Sequence, residues 1–220
     1  MLKQIETMIS LQDEMNSQIN PDWRNAGYNY IRASWVECAE LVEHYNYKWW
    51  KKQVRDIPQC QMELVDIWHF ILSHLIREGL SAEDMLFYIE DAADFEDALE
   101  GCEEDMTVLE LIEFLVLALL QHEDTNLPDG EHIVTIFFTL CSKLDLSFDE
   151  LYSQYIGKNV LNFFRQDNGY KEGTYIKNWN GKEDNEVLSD ILNSTSKDVD
   201  NIREYIYSKL DEVYVTIKYS

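Results

Sequence analysis

Met62-Glu63-Leu64-Val65-Asp66-Ile67-Trp68-His69-Phe70-Ile71-Leu72 reads as a helix that is apolar nearly all the way round, and a helix without a wet face is buried. Two acids sit inside it. Glu63 and Asp66 are three residues apart, which stacks both carboxylates on one helix face about a turn apart. A second such pair, Glu37 and Glu40, precedes it in another mostly apolar stretch. Twenty-two residues separate the pairs, enough for a helix end, a loop and a return helix. Two antiparallel neighbours would then turn four carboxylates toward one point. Buried together they would repel, and burying an isolated charge costs on the order of several kcal/mol. A cation must offset that, and hard carboxylate oxygens suit Mg²⁺ or Mn²⁺. The expectation is a metal site built from Glu37, Glu40, Glu63 and Asp66.

The spacing alone carries little in a chain with 42 acids. Glu110-Leu111-Ile112-Glu113 has it too, in a still more apolar helix, but lacks a neighbouring helix with a second pair; it reads as a structural or subunit-contact feature. His69 lies one turn beyond Asp66 on the same face and reads, by itself, as a buried histidine satisfied by a neighbour. His74 is five residues further on, poor spacing for two ligands on one helix side.

Around this core the punctuation is helical. Leu2, Ile5, Met8, Ile9, Met15 and Ile19 predict a helix over 2–19, broken by Asn20-Pro21-Asp22. Further helices are expected over about 28–44 and 59–78, the latter after Pro58 and ending near Gly79. Ser81-Ala82-Glu83-Asp84, Thr107-Val108-Leu109-Glu110 and Ser147-Phe148-Asp149-Glu150 resemble capping boxes opening helices over about 81–99, 107–123 and 147–165. Another lies over about 130–143, after the turn Leu127-Pro128-Asp129-Gly130. Positions 167–185, with Gly169, Gly173 and Gly181, lose the helical period and read as a functional loop, ordered by Phe164, Tyr170, Tyr175 and Trp179. A final helix over about 198–212 closes an all-α helical bundle, expected to be a single domain over 1–220.

A chain of 220 residues, 45% apolar, can bury a real core. The formal charge of −24 excludes a general nucleic-acid or anionic-membrane surface. Nine of 18 bases fall in two stretches, Lys48, Lys51, Lys52 and Arg55, then Lys158, Arg165, Lys171, Lys177 and Lys182. The second island suggests either a small anionic ligand or a surface loop balancing acidic helices. Cys38, Cys60, Cys102 and Cys141 lack metal or disulfide-framework spacing. The N-terminus does not read as a signal peptide, and the longest uncharged apolar run, Phe114 to Leu120, is seven residues, too short to span a membrane. A cytoplasmic protein is expected.

Glu-x-x-Glu followed after about two dozen residues by Glu-x-x-Asp resembles the signature of the all-α nucleoside triphosphate pyrophosphatases of the MazG-like superfamily. Within it the chain most resembles the dimeric dUTPases, a group that includes phage dCTPase/dUTPases. Leu11-Gln12-Asp13-Glu14-Met15-Asn16, Trp49-Trp50-Lys51, and Glu63-Leu64-Val65-Asp66-Ile67-Trp68-His69-Phe70 look like successive motifs. The longest match is Lys158-Asn159-Val160-Leu161-Asn162-Phe163-Phe164-Arg165-Gln166-Asp167-Asn168-Gly169-Tyr170-Lys171, continuing through Gly173-Thr174-Tyr175, Trp179-Asn180-Gly181 and Glu183-Asp184-Asn185. The motifs lie within 1–78 and 147–185; positions 81–145 and 198–212 carry none.

The resemblance implies Mg²⁺-dependent hydrolysis of dUTP, and of dUDP, to dUMP by a homodimer, with more than one ion per site and Mn²⁺ as a substitute. It implies that Glu37, Glu40, Glu63 and Asp66 hold the metals, Glu40 also activating the attacking water. Gln12 and Asn16 would meet the uracil edge, Trp49, His69 and Phe70 would line the base and sugar pocket, and Asn162 would reach the sugar hydroxyl. Arg165, Tyr170, Lys171, Lys177 and Asn185 would bind phosphates. The nearest alternative is a pyrophosphatase of the same fold preferring dCTP or another nucleotide. A non-catalytic nucleotide sensor or an acidic helical scaffold are the readings from other classes, and the presence of all four acids weighs against the sensor. The dimer contact is sought on the apolar helices around 109–120 and 133–141.

Overall fold

α1 (Leu2–Ile19), α2 (Tyr30–His44), α3 (Ile57–Glu78), α4 (Ala82–Glu100), α5 (Val108–Thr125) and α6 (Glu131–Lys143) follow one another through the first two-thirds of the chain. The computed structural model describes residues 1–100, 106–125, 130–195 and 201–218. Contacts divide the chain into two units, Met1–Leu151 and Tyr152–Ser220. α7 (Phe148–Asp167) crosses that division, and α8 (Asp184–Ser194) and α9 (Ile202–Lys218) belong to the second unit. The protein is all-α, as its periodicity predicts; a two-residue hairpin is the sole sheet among the described residues.

α3 is the axis of the first unit, packing against both α1 and α2. Leu64, Val65, Ile67, Trp68, Leu72 and Leu75 are all fully buried along it, each large aliphatic side chain contributing about 1.5–3 kcal/mol. The Trp68 ring stacks on Phe137 of α6 at 5.1 Å and 18°. Helix ends obey local chemistry. Asn29 caps α2 by accepting from the Arg32 N–H at 2.6 Å, which moves its start two residues past the expected Tyr28. α3 begins before Pro58 rather than after it, because Asp56 caps it and proline fits the first turn, where no N–H is needed. Gly79, at φ +88°, closes it in the left-handed conformation.

All three expected capping boxes form. Asp84, Glu110 and Glu150 accept from the backbone N–H of Ser81, Thr107 and Ser147 at 2.9, 2.7 and 3.1 Å. Glu110 is thus a helix cap, which accounts for half of the spacing it shares with the metal-site pairs; Glu113 is exposed. The expected turn at Leu127-Pro128-Asp129 and Cys102 lie outside the described residues. Cys38, Cys60 and Cys141 are buried free thiols, and burial pushes Cys38 up to about 12 and Cys60 up to about 11.

In the second unit the segment 167–185 is more regular than a loop. β1 (Asn178–Trp179) and β2 (Lys182–Glu183) pair antiparallel across Asn180-Gly181, whose φ values of +55° and +90° are those of a primed hairpin turn. α8, absent from the sequence expectation, starts directly after it, and Glu186 accepts from the Glu183 N–H at 2.8 Å as in a capping box. The helix expected over about 198–212 is α9, Ile202–Lys218; positions 198–200 of that expectation lie outside the described residues, and Ile206, Leu210 and Tyr214 carry its buried stripe past 212. Phe164 meets Trp179, Tyr207 and Tyr214 edge-on at 5.9, 5.2 and 5.3 Å, and Tyr175 stacks on Tyr214 at 5.2 Å. Gly157 lets Leu192 pack closely on α7: a Cβ there would come within 2.9 Å of its terminal methyls, which would have to shift. Among the described residues no helix is long and apolar enough to cross a membrane.

Candidate active site

The Asp56 N–H donates to the His44 carbonyl at 3.1 Å, pinning the end of α2 to the start of α3. α2 and α3 pack extensively as the antiparallel pair the spacing allows. About two turns back from His44 and two turns on from Asp56 lie Glu37 and Glu63. Glu37, Glu63 and Asp66 each present one carboxylate oxygen, all within 4.8 Å of one another. Glu63 is only 5% exposed, and His44 Nε2 stands 3.6 Å from its Oε1. Three hard oxygen donors converging at a partly buried point fit a divalent cation. Glu40 is exposed on α2 and is not part of the convergent group.

One turn further along α3 the site becomes a buried polar network. His69 Nδ1 lies 2.7 Å from Gln12 Oε1. Gln12 Nε2 donates to Ser73 Oγ at 2.9 Å and to Asn16 Oδ1 at 3.2 Å, while Asn16 Nδ2 donates to Ser73 Oγ at 3.0 Å. Gln12, Asn16 and His69 are 4%, 6% and 5% exposed, and Phe70 is half-buried. The structure therefore joins three of the expected base-site residues. Ser73 is the member sequence reasoning missed; its signal was a small polar residue four positions after His69 in an otherwise apolar helix. Trp49 is 90% exposed, held edge-on to Trp50 at 5.5 Å, and Lys48 of the same loop pairs with Glu43.

In the second unit Arg165, Asn162 and Asn185 of the expected residues form one network with Asp184, an acid not among them. Arg165 Nε and Nη2 donate to its two oxygens, both at 2.8 Å, and the Tyr175 hydroxyl adds a third bond at 2.8 Å. Arg165 also donates to Asn162 and Asn185 at 3.3 and 3.1 Å, and Lys158 to Asn185 at 2.8 Å. Burial raises the proton affinity of Asp184, but the Arg165 fork, the Tyr175 hydroxyl and the Lys158 charge outweigh it and hold the carboxyl below the usual carboxylate range. Lys177 pairs with Glu183 at 3.1 Å and Lys182 with Asp190 at 2.6 Å; Tyr170 and Lys171 are exposed. The positive island is thus largely met by acids just beyond it. Across 157–190 five bases face six acids.

The family model described as dUTPase matches residues 4–170. An all-helical fold carrying the Glu37/Glu63/Asp66 cluster within that span makes this an all-α nucleotide hydrolase. The chain belongs to the dUTPase family, and its activity is dUTP hydrolysis. Lys171, Lys177 and Asn185 lie past the matched span. No curated protein matches the chain.

Proposed function

We infer that the protein is a Mg²⁺-dependent dUTP diphosphatase that also cleaves dUDP, yielding dUMP in both cases. The observation that carries this reading is the convergence of Glu37, Glu63 and Asp66 on α2 and α3. These three would hold the metal, Mn²⁺ being an acceptable substitute and more than one ion being accommodated. A bound divalent ion supplies neutralisation of phosphate charge and acidification of a water. Glu40, an exposed carboxylate one turn along α2 from Glu37, would take the proton of the attacking water as general base. The buried amides of Gln12 and Asn16 would meet the uracil edge, with His69, Phe70 and Trp49 against base and sugar. Asn162 would contact the sugar hydroxyl, and Arg165, Tyr170, Lys171, Lys177 and Asn185 would bind phosphate. One functional domain over 1–220 is part of the same reading; the match across 4–170 passes the division after Leu151.

A cytoplasmic homodimer is part of the same reading. Of the two apolar helices expected at the contact, α6 turns Ile133, Val134, Phe137 and Leu140 inward, whereas α5 leaves Phe114, Leu117 and Leu120 exposed, which favours α5. The test is a panel of deoxynucleoside triphosphates, plus dUDP, with and without Mg²⁺. dUTP should be turned over fastest, with release of pyrophosphate, and only with the metal. Equal or faster turnover of dCTP would replace the reading by the alternative substrate.

Trp49→Ala separates binding from folding. With the ring so exposed, stability should change by no more than about 0.5 kcal/mol, while KM for dUTP should rise about fivefold or more through lost stacking. An unchanged KM would remove Trp49 from the site.

A further inference from the structure

Ser73 is fully buried on α3, and three groups surround its Oγ: the His69 carbonyl at 2.8 Å, Gln12 Nε2 at 2.9 Å and Asn16 Nδ2 at 3.0 Å. The hydroxyl donates its single proton to the His69 carbonyl and turns its lone pairs to the two amides. Both amides facing it must therefore present N–H. Turning either over would set a carbonyl oxygen against the lone pairs of the hydroxyl at a buried position, which is the costly way to bury polar groups. The remaining contacts agree with this orientation. The second Nε2–H of Gln12 reaches Asn16 Oδ1 at 3.2 Å, and the 2.7 Å contact between Gln12 Oε1 and His69 Nδ1 fits it in the tautomer that carries the ring proton on Nδ1.

The lock decides what Asn16 shows to a base. One N–H and one acceptor direction of Oδ1 remain, in a fixed order. Uracil presents a donor at N3 beside a carbonyl acceptor; cytosine presents an acceptor at N3 beside an amino donor. In the same pose the two bases require opposite orders, so cytosine would need the amide reversed.

We propose that Ser73 is a specificity-determining residue, whose hydroxyl holds the Gln12 and Asn16 amides in the orientation that accepts uracil and opposes cytosine. The proposal rests on the reading that those amides meet the base. Its test is kcat/KM for dUTP and dCTP in the wild type, Ser73→Ala, Ser73→Cys and Asn16→Asp, with melting temperatures as the control for folding. Sites built around a substrate hydrogen bond reject the mismatched analogue strongly, so freeing the amides should lower the dUTP/dCTP ratio about tenfold or more. The loss should fall on KM for dUTP more than on kcat, which a merely structural role would not produce. Ser73→Cys, with a weak sulfur acceptor of similar size, should shift the ratio less in the same direction and carries the test if Ser73→Ala does not fold. An unchanged ratio in the folded Ser73 variants, with a collapsed ratio in Asn16→Asp, would overturn the lock and leave the base reading standing. Ratios unchanged in every variant would overturn both, and a wild-type ratio near one would overturn the lock outright.

Discussion

Glu63→Gln should lower dUTP turnover by about 10²–10³-fold and at the same time make the metal-free protein more stable. Both effects come from one geometry. Glu63 is the buried member of three carboxylates whose oxygens lie within 4.8 Å, so without a cation each pair repels. Glu37 and Asp66 are half-exposed, and solvent screening reduces that repulsion to about 1 kcal/mol per pair. Replacing one charge by an isosteric amide removes two such terms. For a chain of this size the melting temperature in EDTA should rise by roughly 2–6 °C. The Mg²⁺-induced stabilisation that the wild type gains by binding in the folded state should shrink. Calorimetry with and without Mg²⁺, beside steady-state kinetics, reads all three quantities. A variant that melts lower in EDTA and keeps its Mg²⁺ shift would sink the metal site.

Asp184→Ala should be the most damaging substitution in the second unit, at about 3–5 kcal/mol. The carboxylate is wholly inaccessible and receives both arms of the Arg165 fork and the Tyr175 hydroxyl, so its removal strands a nearly buried guanidinium. The melting temperature should drop on the order of 10 °C. The pH dependence has a definite sign. The folded-state pKa of Asp184 lies below its ordinary value, so its contribution is complete above about pH 4 and fades as pH falls through the folded value. Urea melts should therefore show a wide gap between wild type and variant at neutral pH that narrows below about pH 4. A gap under about 1 kcal/mol at pH 7, or one equally wide in acid, would mean that Arg165 finds another partner.

The legible parts of this molecule were those decided within a few residues along the chain. Thr107 and Glu110 cap each other because their spacing permits nothing simpler, and Gly79 ends α3 because only glycine sits easily at its φ. The missed α8 had a local signal as well, Glu183-x-x-Glu186 after Asn180-Gly181, but it was masked by the aperiodic aromatic stretch before it. The positive island has acidic partners that the basic window alone did not reveal, because they begin at Glu183, just outside it.

By itself the sequence determined that the chain is helical, that most of α3 is buried, and that α2 could return against it with acids on both helices. Those conclusions follow from period, capping and the energy of burying charge. Only the tertiary structure decided that Glu37, Glu63 and Asp66 converge while Glu40 stays in solvent, that Asp184 grips Arg165, and that Ser73 joins Gln12 to Asn16 across residues about sixty positions apart. Hydrogen-bond geometry falls off within an ångström, and no spacing along a chain fixes side-chain rotamers on separate helices to that accuracy.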